Sequence, residues 1–474
     1  MAPRKKTSVV RNKSGLGKQP LDSVKDDNGE DFELAEPEVS KLDIEGFPGE
    51  CDIDLDRTLD NGSILRDELS KFVARQMDIE IEARSKRVDN LAKWDKQYSG
   101  KKPAKAYPWP GCYSEDTDVL TSWGWKRVSD VRPDDMVLSL DPESGKASYQ
   151  KITKITEPYS CDKLLHIYNK NKTIDLMVTP DHNVLVSKSG MEKKFIVKKA
   201  SELLEHKSAW KIPLSSNSWD GKRAEKLYAY DAKDLCSFLG WYISEGFTYI
   251  SGTIGIAQSL KNQRKREKII SLFERMGLKY SETFQAFLVS CKNFPIEFRR
   301  LLISLGHAPQ KYIPREFLDL DSDCLSSLLD ALISGDGHVR KPSIGGFAKK
   351  DRLSYYTSSR QLADDVQELA QKVGLRARIS IRDFRGRSVF PNRKNPGITR
   401  ELSYVLSICR KNRGKLSAAK IEWVYYNSFV YCFETQPFHS IYVRRNGIAQ
   451  WCGQSNNMAV PHSRINCDAL VVRV

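Results

Sequence analysis

Apolar residues Ile64, Leu65, Leu69, Phe72, Val73, Met77 and Ile79 recur at helical spacing, which predicts one long helix or two across residues 64–94. Arg75 to Lys96 is charge-dense, as a solvated helix face is, and Pro103, Pro108 and Pro110 then end any helix. Residues 1–50 pass from a Lys/Arg-rich head into an acidic, Gly/Pro-containing stretch that cannot bury a core. After Gly111 the pattern changes to short β-branched runs parted by turns, at residues 119–120, 126–128, 136–140, 164–168 and 174–178. From Asp231 the period turns helical. An apolar helix from Leu235 to Ser244 ends at Glu245-Gly246, and two strand-like runs and a helix from Arg264 to Met276 follow it. The same order recurs: an apolar helix from Leu325 to Ser334 ends at Gly335-Asp336-Gly337, then strand-like runs, then a helix from Arg360 to Val373. This is an internal duplication of organisation. Beyond about Leu416 the β pattern returns until Gln454, so β material brackets the α/β duplication, as when one domain is inserted into a surface loop of another.

At 474 residues the chain has room for about three domains. Its net charge is +15, and the basic excess falls between residues 112 and 454, the segment before it being slightly acidic. Such a field suits nucleic acid as a partner of that stretch, and equally a solvated surface that is merely basic. No apolar run reaches the length of a membrane span, so no membrane partner is expected, and the basic N-terminus lacks the apolar core of a signal peptide. Ten cysteines with no C-x-x-C pair point to neither a zinc site nor a disulfide framework, and a reduced compartment is expected.

The composition break falls on Cys112-Tyr113-Ser114-Glu115-Asp116-Thr117-Asp118-Val119-Leu120-Thr121. This pattern resembles the N-terminal splicing block of inteins, the self-excising protein introns. Val430-Tyr431-Cys432-Phe433-Glu434-Thr435, His439, residues 442–447 and Gly453-Gln454-Ser455 resemble the paired C-terminal blocks. Removing residues 112–454 joins Tyr-Pro-Trp-Pro-Gly to Ser-Asn-Asn-Met, a plausible continuous segment. By the resemblance, Cys112 takes the acyl group of Gly111 as a thioester. Thr179 and His182 of a T-x-x-H block polarise that bond and protonate its nitrogen. Ser455 then attacks the thioester, and the Gln454 carboxamide closes on its own carbonyl; no cofactor is implied. The chain departs from the family where most members end His-Asn: it ends Gly453-Gln454, which leaves His439 as the candidate to assist closure. Cys432 stands where the family often has Asp and is either a proton-transfer group or a space-filler.

Phe238 to Gly246 and Leu329 to Gly337 resemble the two LAGLIDADG motifs of homing endonucleases. Two apolar helices with small residues can pack closely, bringing Glu245 and Asp336 together to share hard divalent cations for phosphodiester hydrolysis, with Mg2+ expected. Gln310-Lys311-Tyr312-Ile313-Pro314 resembles the block whose lysine assists catalysis, which makes Lys311 a candidate. The resemblance implies a strand saddle on double-stranded DNA, with Lys261, Arg264, Lys265, Arg266, Arg382, Arg385, Arg387, Arg393 and Lys394 as candidate phosphate or base contacts.

The expected architecture is multidomain. An all-β Hint-type splicing domain (112–225 and 416–454) is interrupted by an α+β endonuclease domain (226–415) with a pseudo-twofold αββαββ repeat. A mostly helical or disordered host segment (1–111 and 455–474) flanks it. The joined host sequence resembles the early region of tailed-phage portal proteins, which implies a ring of portal subunits. It also implies the cytoplasm of an infected bacterium as location, and the virion for the spliced host. The apolar run at Leu470 to Val474 breaks off, as in a fragment of a longer host.

Overall fold

The computed structural model describes residues 111–188, 195–206, 209–249, 252–340, 352–389, 397–410 and 412–454. The expected helix at 64–94, Ser455, Arg393 and Lys394 lie outside the described residues. All described residues belong to one compact unit, which is mostly β, and no helix among them is long and apolar enough to cross a membrane.

The first β portion comprises β1 (Tyr113–Ser114), β2 (Asp118–Thr121), β3 (Met136–Leu140), β4 (Lys146–Ile155), β5 (Tyr159–Tyr168), β6 (Asp175–Val178) and β7 (Asn183–Lys188). The α/β portion opens with α1 (Ala232–Glu245), β8 (Gly246–Thr248), β9 (Ile254–Ala257), α2 (Gln263–Met276), β10 (Tyr280–Glu282) and β11 (Ala286–Val289). Its second half holds α3 (Ser322–Asp336), β12 (Gly337–Arg340), β13 (Arg352–Thr357), α4 (Arg360–Lys372), β14 (Arg376–Arg382) and β15 (Ser403–Cys409). The chain returns through β16 (Lys420–Tyr431), β17 (Phe433–Thr435), β18 (Ser440–Arg445) and β19 (Ile448–Gly453).

Strands β1, β16, β5 and β6 close into a barrel, so early and late segments interleave. Tyr113 stands opposite both Tyr431 and Val178, a register that brings Cys112 beside Cys432 and Thr179. Strands β18 and β19 form a hairpin over Asn446-Gly447. Both turn residues have positive φ (51° and 74°), the two-residue geometry that matches strand twist. The hairpin pairs with β2 on one side.

The duplication is physical. Helices α1 and α3 each begin at an aspartate cap: Asp231 accepts from the Lys233 and Asp234 amides, and Asp321 from those of Asp323 and Cys324, all at 3.0 Å. The helices pack through buried Leu235, Phe238, Leu239, Leu325, Leu328 and Leu332. Gly240 permits the close approach, since a Cβ there would lie 2.7 Å from the Ala331 Cβ and 2.8 Å from the Leu328 carbonyl oxygen. Each helix feeds a sheet, β8-β9-β11-β10 from the first half and β14-β15-β13-β12 from the second. The second sheet is continuous with the sheet that holds β2, β18 and β19: Arg378 pairs with Ile448, and the Ile379 amide donates to the Gly447 carbonyl at 3.0 Å. The two portions thus share a sheet and a core, where the sequence pattern suggests one domain carried on a loop of another.

Candidate functional site

The barrel register places four side chains around the Gly111–Cys112 bond. The Cys112 amide donates to the Thr179 hydroxyl at 3.0 Å, and the Cys432 thiol donates to the Gly111 carbonyl oxygen at 3.3 Å. Cys112 is buried, and its hydrogen bond to Cys432, then burial, push its thiol well above the usual range, while the Tyr159 hydroxyl pulls the other way. His182 is wholly buried with its ring edge-on to Tyr113, 4.3 Å between centroids. Burial lowers its pKa to about 4, partly offset by the nearby Gly111 and Gly453 backbone groups, so the ring is neutral at pH 7. Its Nε2 lies 3.2 Å from the Cys452 sulfur, and its Nδ1 has no partner of hydrogen-bonding geometry.

The Gly453–Gln454 terminus of β19 reaches the same place. The Tyr113 hydroxyl donates to the Gly453 carbonyl at 2.7 Å, across 340 positions of sequence. The Gln454 carboxamide is buried. Its oxygen accepts from the Thr435 amide and hydroxyl, both at 2.9 Å. Because a backbone N–H can only donate, this fixes which end is oxygen, and leaves Nε2 buried with no hydrogen-bond partner among the described residues. The Gln454 main-chain carbonyl accepts from Asn183 Nδ2 at 2.6 Å. His439 touches Gln454 through its own carbonyl, which accepts the Gln454 amide at 2.9 Å, whereas its ring faces Glu434 at 3.5 Å.

At the other site, α1 and α3 end at Glu245 and Asp336. Burial, then the Glu245 charge, raises the Asp336 carboxyl to about 7 against the opposing pull of Lys265 and Lys311. Glu245 accepts from Gln258 Nε2 at 2.8 Å and pairs with Lys265 at 3.4 Å. Lys311 is buried, with its ammonium 3.2 Å from the Tyr242 carbonyl and 4.3 Å from the centre of that tyrosine ring. Burial lowers its pKa to about 8, with Asp336 opposing. The lysine loop is anchored from α4: Asp365 accepts the Ile313 amide at 2.8 Å, and the Ser359 hydroxyl donates to the Lys311 carbonyl at 2.6 Å. Among the described residues no cluster of three or more His, Cys, Asp or Glu could hold a metal by itself. Two carboxylates with water and phosphate completing the shell do fit a hard divalent cation. Burial and then the Glu245 charge raise the Asp336 carboxyl, and a cation held there would offset both.

Of the candidate DNA contacts, Lys261, Arg264, Arg382, Arg385 and Arg387 are exposed. Arg385 pairs with Asp383 at 2.6 Å, and Arg387 lies over the Phe384 ring. Arg266 is turned inward: it pairs with Glu282, donates to the Gln258 carbonyl at 2.7 Å and stacks on Phe287, which takes it out of reach of a phosphate. Lys265 is committed to the side of the Glu245 carboxylate, donating to the Gly335 carbonyl at 2.8 Å.

Sequence reasoning missed Tyr159, Asn183, Thr435 and Gln258. Each is a polar residue in or beside a strand; Asn183 follows His182, and Thr435 closes the block Val430–Thr435, but neither block gave these residues a role of their own.

Residues 323–415 match the family model of the LAGLIDADG-like domain. The match falls within the second half of the α/β portion. The chain is 26% identical over 425 residues to a DNA-directed RNA polymerase subunit beta C-terminal section of Stigeoclonium helveticum, covering 75% of this chain and 37% of that one. It is 25% identical over 298 residues to an ATP-dependent Clp protease proteolytic subunit of Chlamydomonas moewusii, covering 57% and 29%. A ribonucleoside-diphosphate reductase subunit beta of Aquifex aeolicus is 24% identical over 314 residues, covering 60% and 42%. The chain thus spans less than half the length of each of these relatives. Among solved structures, I-DmoI in complex with DNA and Mn is 14% identical with a TM-score of 0.23, covering 38% of this chain and 90% of that one. An AceL NrdHF split intein is 20% identical with a TM-score of 0.20, covering 24% and 70%.

Proposed function

We propose that residues 112–454 form a self-excising splicing element with an embedded, cation-dependent double-strand DNA endonuclease. The observation that carries this reading is the convergence of both prospective junctions on one buried centre, with the Tyr113 hydroxyl on the Gly453 carbonyl. A second support is that the three curated relatives bear names of unrelated activities, as hosts of a mobile insert would.

In the first step the Cys112 sulfur bonds to the Gly111 carbonyl carbon and the C–N bond breaks. The thiol proton passes to the departing nitrogen. Neutral His182 is the group beside Gly111 that can relay it, Cys432 donates to the carbonyl oxygen on which charge develops, and Thr179 holds the amide hydrogen. Of the two roles open for Cys432, its contact with the Gly111 oxygen favours proton transfer. The Ser455 hydroxyl then takes the acyl group, Gln454 closes to an imide, and the ester relaxes to a peptide. One-ended autoprocessing needs no amide at the downstream end, and the built pocket around the Gln454 carboxamide disfavours it.

At the second site Glu245 and Asp336 would hold the cation, for which Mg2+ is our reading, and the bound ion would polarise the scissile phosphate. Lys311, with its pKa near 8, can hand a proton to or from water at that site. Exposed Lys261, Arg264, Arg382, Arg385 and Arg387 would contact DNA. The intact acid pair and lysine favour an active nuclease over a decayed one. For the host, the portal reading, with its ring assembly, infected-cell cytoplasm and virion, rests on the joined flanking segment alone.

Intact-mass measurement on the expressed chain tests splicing, with Cys112→Ala as control. A joined host and a released insert are expected from the native sequence, and neither from Cys112→Ala. An unchanged 54.1 kDa mass for the native chain would remove the reading.

A further inference from the structure

We propose that Asn183 is a catalytic residue of the downstream cleavage, donating to the Gln454 carbonyl oxygen as that oxygen takes on negative charge. The inference rests on the splicing reading and adds to it a residue that no motif assigned.

The geometry has three parts. Asn183 Nδ2 already lies 2.6 Å from the Gln454 carbonyl oxygen, and only the amino end of its carboxamide can face an acceptor. The Gln454 side-chain oxygen is held by two donors from Thr435, which leaves Nε2 buried and without a partner among the described residues. Finally, a Cβ at position 453 would collide with the Asn183 carbonyl oxygen. Glycine at 453 therefore lets β19 close on Asn183, and no side chain from position 453 is needed to serve the carbonyl.

In the step itself, Gln454 Nε2 forms a bond to the Gln454 carbonyl carbon, and the carbonyl oxygen becomes an oxyanion facing Asn183. As the carbonyl re-forms, the bond to the nitrogen of residue 455 breaks. The proton lost by Nε2 is matched by the one the leaving amine gains, so atoms and charge balance with no co-reactant. The products are a six-membered imide on the insert and a free α-amine at Ser455. Fixed donors aimed at a developing oxyanion are among the larger contributions to acyl-transfer catalysis. Thr435 is a positioning residue, since it touches the carboxamide oxygen rather than the reacting atoms. His182 and Asn183, adjacent in sequence, thus serve the two junctions separately.

The test uses the full chain carrying Asn183→Asp, which keeps the shape but replaces the donor with a charge that repels an oxyanion. A time course of intact mass reads cleavage after Gln454, while release of residues 1–111 by dithiothreitol reads the thioester independently. Cleavage after Gln454 is expected to slow about 100-fold or more, with thiol-induced release within about threefold of the native chain. Gly453→Ala, which pushes the strand end away from Asn183, should reproduce that split. Downstream cleavage by Asn183→Asp at the native rate would overturn the assignment and leave the splicing reading standing. Loss of both cleavages in Asn183→Asp would overturn it too, marking Asn183 as structural. A native chain that cuts neither junction would overturn both.

Discussion

At the residue scale, burial sets the protonation states on which both proposed chemistries turn. His182 has a pKa of about 4 in the folded chain against 6.5 when unfolded. Between those values the unfolded chain binds a proton that the folded chain refuses. The full stability is therefore present above pH 6.5 and is lost as the pH falls from 6.5 towards 4, by about 3 kcal/mol at most. The urea midpoint of the native chain should fall more steeply between pH 7 and 5 than that of His182→Gln; parallel slopes would contradict this. Asp336, raised to about 7, behaves oppositely: its proton must leave before a cation is held. Mn2+ binding by calorimetry should therefore strengthen as the pH rises through 7. In Glu245→Gln, which removes the repelling charge, an NMR titration should show the Asp336 carboxyl ionising at lower pH. Cys112, Thr179, His182 and Gln454 were candidates from motif order, and the fold brings them together. Asn183, Thr435 and Tyr159 were not, because a polar residue in a strand acquires a role only from what the fold sets opposite it.

At the element scale, helix α1 was legible from Leu235 onward by its apolar period, and the Asp231 cap that starts it earlier is seen in the structure. Helix α3 runs on through Gly335 to Asp336, beyond the end its pattern suggests, because its acid rides on the last helical turn. Gly240 carries the helix–helix approach. Gly240→Val should force α1 and α3 apart, costing about 1–3 kcal/mol as overpacked cores do. It should also lower DNA cleavage at least tenfold by separating Glu245 from Asp336, while splicing persists. A variant that nicks target DNA at the native rate would show that the close approach is not what sets the acid pair. The β18–β19 hairpin turns at Asn446-Gly447, which the sequence marked only as the end of a resembling block, and its register, which carries Gln454 back to Thr435, is a tertiary result.

At the scale of the whole molecule, the two portions are joined more tightly than their sequence texture suggests. Lys372 of α4 is fully buried, pairs with Glu368 at 2.8 Å, and lies 4.3 Å from the Trp219 ring and 4.9 Å from that of Tyr149. Arg315 pairs with Glu368 at 2.6 Å and donates to the Ser122 carbonyl. Burial would raise the Glu368 carboxyl, but Lys372 and Arg315 outweigh it and hold it below its usual range. Arg444 of β18 pairs with Asp118 at 2.9 Å and also with Asp364 of α4. Removing one partner of such a buried pair costs about 3–5 kcal/mol, so Lys372→Ala should lower the melting temperature of the whole described unit in a single calorimetric transition. Two separate transitions, with only one shifted, would show independent domains. The sequence by itself determined the repeated helix ending in an acid and the alternation of β and α/β segments, and it marked the candidate junction residues, because these depend on residue type and local period. Only the tertiary structure decided which groups meet: Cys432 with the Gly111 carbonyl, Asn183 with Gln454, Arg266 turned inward, and one sheet running through both portions. Such contacts depend on strand register and barrel closure between residues up to 340 positions apart, which no local pattern encodes.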